Sequence, residues 1–199
     1  MSSALRTDFL QQLYDQHMKQ RKFVKGSPQE FVRQSRSHCD WVGFVIALDH
    51  PGISVMPRFG VRIDEVHKEA EAVFGKALVG YSNTTATFAR SSTELLGGDL
   101  GLDYIEIEDD ACLPVAFERI EDRISRAETV LWSRDWSLDQ VLREISETCV
   151  LENALVRTVS VWRLQGIGPT QVLTQIREWL REREIEESSV EHYLEHLKQ

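Results

Sequence analysis

A chain of 199 residues with 42% hydrophobic and 28% charged residues is long enough for one domain of ordinary size plus an extension, and it has the composition of a globular protein. Its formal charge of −9 is unevenly spread: residues 1–40 hold seven bases and four acids, a net of +3, which leaves −12 on the other 159 residues. A field of that sign repels phosphate backbones and draws in basic partners, so nucleic acid is not an expected ligand.

Leu5, Phe9, Leu13 and Tyr14 recur at helical spacing before a polar run to Lys22, which predicts an opening amphipathic helix. Phe23 to Lys25, the turn residues Gly26-Ser27-Pro28, and Phe31 to Gln34 predict a hairpin. Trp41 to Leu48 is nearly continuous in apolar residues and suits a central strand buried on both faces. After the turn Asp49-His50-Pro51-Gly52, the residues Ile53, Val55, Phe59, Val61 and Ile63 share one parity. Pro57 interrupts them, which suggests a bulged or edge strand.

Val66, Ala70, Val73 and Phe74 predict a helix over 64–74, with Gly75 as its stop. Tyr81 to Ser91 and Asp103 to Glu108 read as two further strands, separated by the cluster Gly97-Gly98-Asp99 and Gly101. Leu113, Phe117, Ile120 and Ile124 mark a helix running to about residue 129, with Pro114 in its first turn. Ser137 with Gln140 is a capping box for a helix through about residue 148.

The remainder is helical by pattern: a stripe through Leu151, Leu155, Val159 and Trp162, a break at Gly166-Ile-Gly168-Pro169, and a second stripe through Val172, Leu173, Ile176, Trp179 and Leu180. A last helix bears Val190, Tyr193, Leu194 and Leu197, with Ser188 and Glu191 as its capping pair. The expected fold is α+β, with a mixed or antiparallel sheet of five to six strands in a domain spanning 1–148. A helical extension over 149–199 should pack on the same chain, because its stripes are too wide to leave in water.

The longest apolar run, Trp41 to Leu48, is far short of the roughly 20 residues that a membrane-spanning helix needs. The first ten residues lack a basic region, an apolar stretch and a cleavage site. Cys39, Cys112 and Cys149 form no C-x-x-C pair and suit free thiols in a reducing compartment. A cytoplasmic protein without a membrane partner is expected, and no cofactor is implied.

Catalytic and metal-binding patterns are scarce. His192 and His196 stand at i and i+4, but the apolar stripe through Val190, Tyr193, Leu194 and Leu197 leaves both on the wet face, so no metal site is expected. His38-Cys39-Asp40 places base, nucleophile and acid in a row, yet neighbours in a strand do not point together. The sequence has no nucleophile elbow, phosphate loop or dinucleotide fingerprint. No catalytic residue is assigned and no enzyme activity is expected.

The one local anomaly is acidic. Asp99, Asp103, Glu106, Glu108, Asp109 and Asp110 are six acids with no base among them. In a strand, Ile105 and Ile107 would face the core while Tyr104, Glu106 and Glu108 share the outer face. Three readings stand side by side: a solvated edge blunted by charge, a docking surface for a basic protein, and a catalytic or metal-holding carboxylate pair. The last lacks the lysine that metal-dependent nucleases place two residues past the second acid.

Phe23-Val-Lys25-Gly26, Phe31-Val32-Arg33, Trp41 to Leu48 and Phe59-Gly60-Val61 carry a further signal. In that order they resemble small bacterial α+β proteins of unknown function, grouped with polymorphic-toxin immunity proteins, that open with a helix, a phenylalanine–lysine–glycine hairpin and an arginine-ended strand. A helix at 112–128 and the segment Trp132 to Ile145 are similar in placement, so the likeness covers residues 5–148 and stops before the tail. The resemblance implies a protein that binds and neutralises a basic toxin domain, and it transfers no catalytic residue. The expected partner-binding residues are therefore Asp99, Asp103, Tyr104, Glu106, Glu108, Asp109 and Asp110. The competing expectations are an enzyme site assembled from His38, His50, Glu106 and Glu108, and an adaptor that binds through an exposed helical tail.

Overall fold

The computed structural model describes residues 2–48, 52–79, 85–96 and 104–197. It is an α+β protein built on a six-stranded antiparallel sheet, and the chain divides into two compact units. The first comprises residues 1–62 and 82–135, and the second residues 63–81 and 136–199.

The first unit holds the sheet: β1 (Val24–Ser27), β2 (Glu30–Gln34), β3 (Cys39–Leu48), β4 (Ile53–Arg62), β5 (Phe88–Ser91) and β6 (Ile105–Ile107). The strands follow chain order from β1 to β5, and β6 pairs with the first residues of β4. On one face Phe31, Val42, Phe44, Val55, Phe59, Val61, Ile105 and Ile107 are buried. Helices α1 (Ser2–Leu13) and α4 (Leu113–Ala127) cover that face, their rings meeting at 5.8 Å (Phe9–Phe117) and 6.0 Å (Phe9–Phe44). The predicted periodicity of both helices holds, since Leu5, Phe9 and Leu13 and then Leu113, Phe117, Ile120 and Ile124 are all buried. Each helix continues into a π-helical turn, Tyr14–Met18 and Glu128–Trp132, which buries Met18 and Trp132. A short helix α3 (Ser92–Leu96) follows β5.

Several expectations shift. The hairpin turn falls after Ser27, because β1 runs through Gly26 with a register irregularity between Lys25 and Ser27. Burial on both faces of β3 extends only over residues 39–44, whereas Val45 and Leu48 are 45% and 55% exposed. Strand β4 is neither bulged nor an edge, for it pairs with β3 in unbroken register from Ile53↔Leu48 to Arg62↔Cys39. Pro57 is tolerated because β5 pairs with residues 58–61 and β6 with residues 53–55, so no described strand faces it on that side. Its carbonyl accepts from Ser92 Oγ at 3.5 Å in that gap, and in a strand its missing N–H lies on the same side. The strand expected from Tyr81 is described only as Phe88–Ser91, and residues 81–84 lie outside the described ones.

The second unit is helical: α2 (Asp64–Val79), α5 (Leu138–Thr148), α6 (Leu151–Leu164), α7 (Pro169–Glu182) and α8 (Glu191–His196). Gly75 interrupts α2 at φ 74°, ψ 155°, so the regular helix stops at Phe74 as the sequence suggests. The capping box forms: Ser137 Oγ accepts from Gln140 N, and Gln140 Oε1 accepts from Ser137 N at 2.9 Å. Helix α6 packs against α2, α5 and α7, and residues 154–161 are buried on every face, a wider burial than the single stripe predicted. In this unit α2 and α5 group with the helices of the last fifty residues. Ser188 does not cap the last helix; its hydroxyl contacts Glu186 at 3.2 Å, and a 3-10 turn (Glu187–Val190) leads into α8 instead. No described helix is long and apolar enough to cross a membrane.

Candidate functional site

The acidic segment sits on β6, and its alternation is as the sequence predicts: Ile105 and Ile107 are buried while Tyr104, Glu106 and Glu108 are exposed. The strand is held against β4 by the pairs Ile53↔Ile107, Ser54↔Glu106 and Val55↔Ile105. Gly52 makes this close approach possible, since a Cβ there would stand 2.1 Å from the Ile107 carbonyl oxygen.

Register places an exposed patch on the sheet face opposite the helices. Ala47 pairs with Ser54, which pairs with Glu106; Val45 pairs with Met56 in the adjacent row. One step further along that register, Tyr104 falls beside Met56. Val45 and Tyr104 are each 45% exposed. The result is two exposed apolar side chains in one row, with carboxylates beside them. Glu106 Oε2 accepts from Ser54 Oγ at 2.6 Å, which fixes the carboxylate's direction without neutralising it.

The other acids divide. Asp109 accepts from Ala111 N at 2.9 Å and so caps the 3-10 turn Asp110–Cys112 that leads into α4. It is a local structural acid. Asp110 is exposed, and Asp99 and Asp103 lie outside the described residues. The described part of the predicted site is therefore Tyr104, Glu106, Glu108, Asp109 and Asp110, joined by Val45 and Met56, which sequence reasoning missed. The signal was present, since Val45 and Met56 lie in apolar runs of β3 and β4, but a one-strand pattern does not reveal which residues of either face are left uncovered.

A second charged group lies buried on the helix-covered face. Arg33 on β2 holds Asp40 on β3 through Nη2 at 2.6 Å and Nε at 2.8 Å. Its Nη1 donates to Glu128 at 2.9 Å, and Arg21 holds the other oxygen of Glu128 at 3.0 Å. The guanidinium also stacks over Phe23 at 4.7 Å and Trp132 at 5.5 Å. Burial works against its charge, but hydrogen bonds and charges from Glu128 and Asp40 outweigh that and hold Arg33 above its ordinary pKa. His38 Nε2 approaches Asp40 Oδ1 at 3.2 Å, yet among the described residues neither atom makes a hydrogen bond, so the ring nitrogen is not aligned with the oxygen. Cys39 turns to the opposite face and contacts Gln34 Oε1 at 3.1 Å. Of the run His38-Cys39-Asp40, base and acid thus meet and the nucleophile does not.

The dispersed set His38, His50, Glu106 and Glu108 is not brought together. Cys39, next to His38, pairs with Arg62, while Glu106 pairs with Ser54 at the other end of β4. Eight residues of strand separate those positions by roughly 26 Å. His50 lies outside the described residues. In the second unit, His192 is exposed and His196 half-buried, with His196 Nδ1 turned to the His192 carbonyl at 2.9 Å. Among the described residues no group of three or more histidines, cysteines, aspartates or glutamates is placed to hold a metal. The three cysteines are free thiols. No protein-family model, curated protein or solved structure matches the chain.

Proposed function

We propose that this chain is a binding protein that takes a basic protein partner on the exposed face of β3, β4 and β6. One observation carries the reading: Val45, Tyr104, Glu106 and Glu108 are exposed together, next to the exposed Asp109 and Asp110. An aromatic and an aliphatic side chain flanked by carboxylates supply what a charged interface needs, with apolar contact for dwell time and opposite charge for encounter. The likeness to immunity proteins makes a basic toxin domain the narrower form of the proposal, in a reducing cytoplasm suited to three free thiols. The tail supports no rival interface through its stripes, because Leu155, Val159, Ile176 and Leu180 are buried within the second unit.

Affinity capture from the native host with wild type and the E106K/E108K variant, each at an unchanged melting temperature, tests the proposal. A basic protein recovered by wild type and lost from the variant supports it. Equal recovery by both would make the acidic strand a solvated edge only.

A further inference from the structure

The geometry points to capture by strand addition: an extended basic segment of the partner pairs antiparallel with the outer edge of β6, which no described strand covers, its lysines or arginines alternating with apolar residues. This inference rests on the binding reading above and specifies how the partner is held. The odd-numbered residues of β4 turn their backbone groups toward β5 and β6, as shown by the Val61 carbonyl accepting from Thr87 N at 2.7 Å. Val55 and Ile53 therefore spend their backbone hydrogen bonds on Ile105 and Ile107, with which they are paired. By alternation, the N–H and C=O groups of Tyr104 and Glu106 point away from β4. No described residue outside the β4 ladder bonds to them.

The occupant follows from the side chains at that edge. A segment paired there sets alternate side chains beside Tyr104 and Glu106 and the others beside Ile105 and Ile107, so basic and apolar residues should alternate along it. A second copy of this chain is a poor occupant, because pairing β6 with itself would bring Glu106 near its own counterpart, and like charges across strands repel. In an antiparallel pair, the residues directly opposite Tyr104 and Glu106 exchange both backbone bonds, and their side chains share the acidic face. The lysine amides of the incoming segment, and not those of its apolar residues, must then carry the contact.

Fluorescence anisotropy with a capped, labelled KVKVKVK peptide tests this on the full chain. Two further peptides carry backbone N-methyl groups, one on two central lysine amides and one on two central valine amides. The lysine-methylated peptide should bind at least roughly tenfold more weakly, the loss expected for two backbone hydrogen bonds, while the valine-methylated peptide keeps the parent affinity. On the protein side, Glu106→Pro removes an outward N–H at an edge position where proline is tolerated, and it should weaken binding beyond the charge-only control Glu106→Gln at an unchanged melting temperature. If both methylated peptides bind like the parent and Glu106→Pro matches Glu106→Gln, strand addition is wrong while charge-driven binding stands. If the parent peptide shows no binding that E106K/E108K weakens, the binding reading fails with it.

Discussion

Two groups of carboxylates flank the same pair of strands and have opposite fates. At one end of β3, Asp40 is 1% exposed and gripped by Arg33, which also holds Glu128. At the far end, Glu106 and Glu108 are exposed, and among the described residues Glu106 accepts from the Ser54 hydroxyl. The first group closes a seam between the sheet and the π-helical turn after α4. The second leaves its charge unspent. Formal charge alone does not tell the two apart; the presence of a cationic partner within the fold does, and that difference ties one group to stability and leaves the other to the proposed partner.

The comparison is broken most directly at its buried end. Asp40→Ala leaves the Arg33 guanidinium without one of its two carboxylate partners and should cost about 3–5 kcal/mol, read as a fall in the urea midpoint. A loss below 1 kcal/mol would mean that water or Glu128 replaces the carboxylate, and the seam would not be structural. Within β6 itself, Ile107→Ala should cost about 2–4 kcal/mol, because that side chain is fully buried. Gly52→Ala pushes a methyl group against the Ile107 carbonyl and should cost about 1–3 kcal/mol, with faster amide exchange in β6 before the rest of the sheet. Glu106→Gln sharpens the contrast from the other side. It should change stability by no more than about 0.5 kcal/mol, since an exposed carboxylate bonded to one hydroxyl contributes little to folding.

Much of this was legible in the sequence where a local rule sufficed. Alternation placed Ile105 and Ile107 inside and Glu106 outside, helical spacing found the buried faces of α1 and α4, and Ser137 with Gln140 formed the capping box. The misses share a cause, which is that they depend on neighbours. Pro57 looked like a break because the strand alone does not show that β5 and β6 stop on either side of it. The partial exposure of β3 depends on what covers each of its two faces. Arg33 and Asp40 flank a short turn, and the pairing Arg33↔Asp40 follows from a hairpin between β2 and β3 that apolar patterning does not announce. In α6, the run from Ala154 to Val161 contains Arg157, Thr158 and Ser160, which reads as one stripe until packing against α2, α5 and α7 buries it all round.

The central claim, that the exposed acids of β6 serve encounter with a basic partner, is tested most directly by the association rate constant of the captured partner across a salt series. For wild type the rate should fall steeply from low to physiological ionic strength, as the screening length shrinks to about 8 Å. The E106K/E108K variant, folded to the same melting temperature, should associate more slowly and lose most of that salt dependence. Identical rates and identical salt slopes for the two proteins would contradict the account.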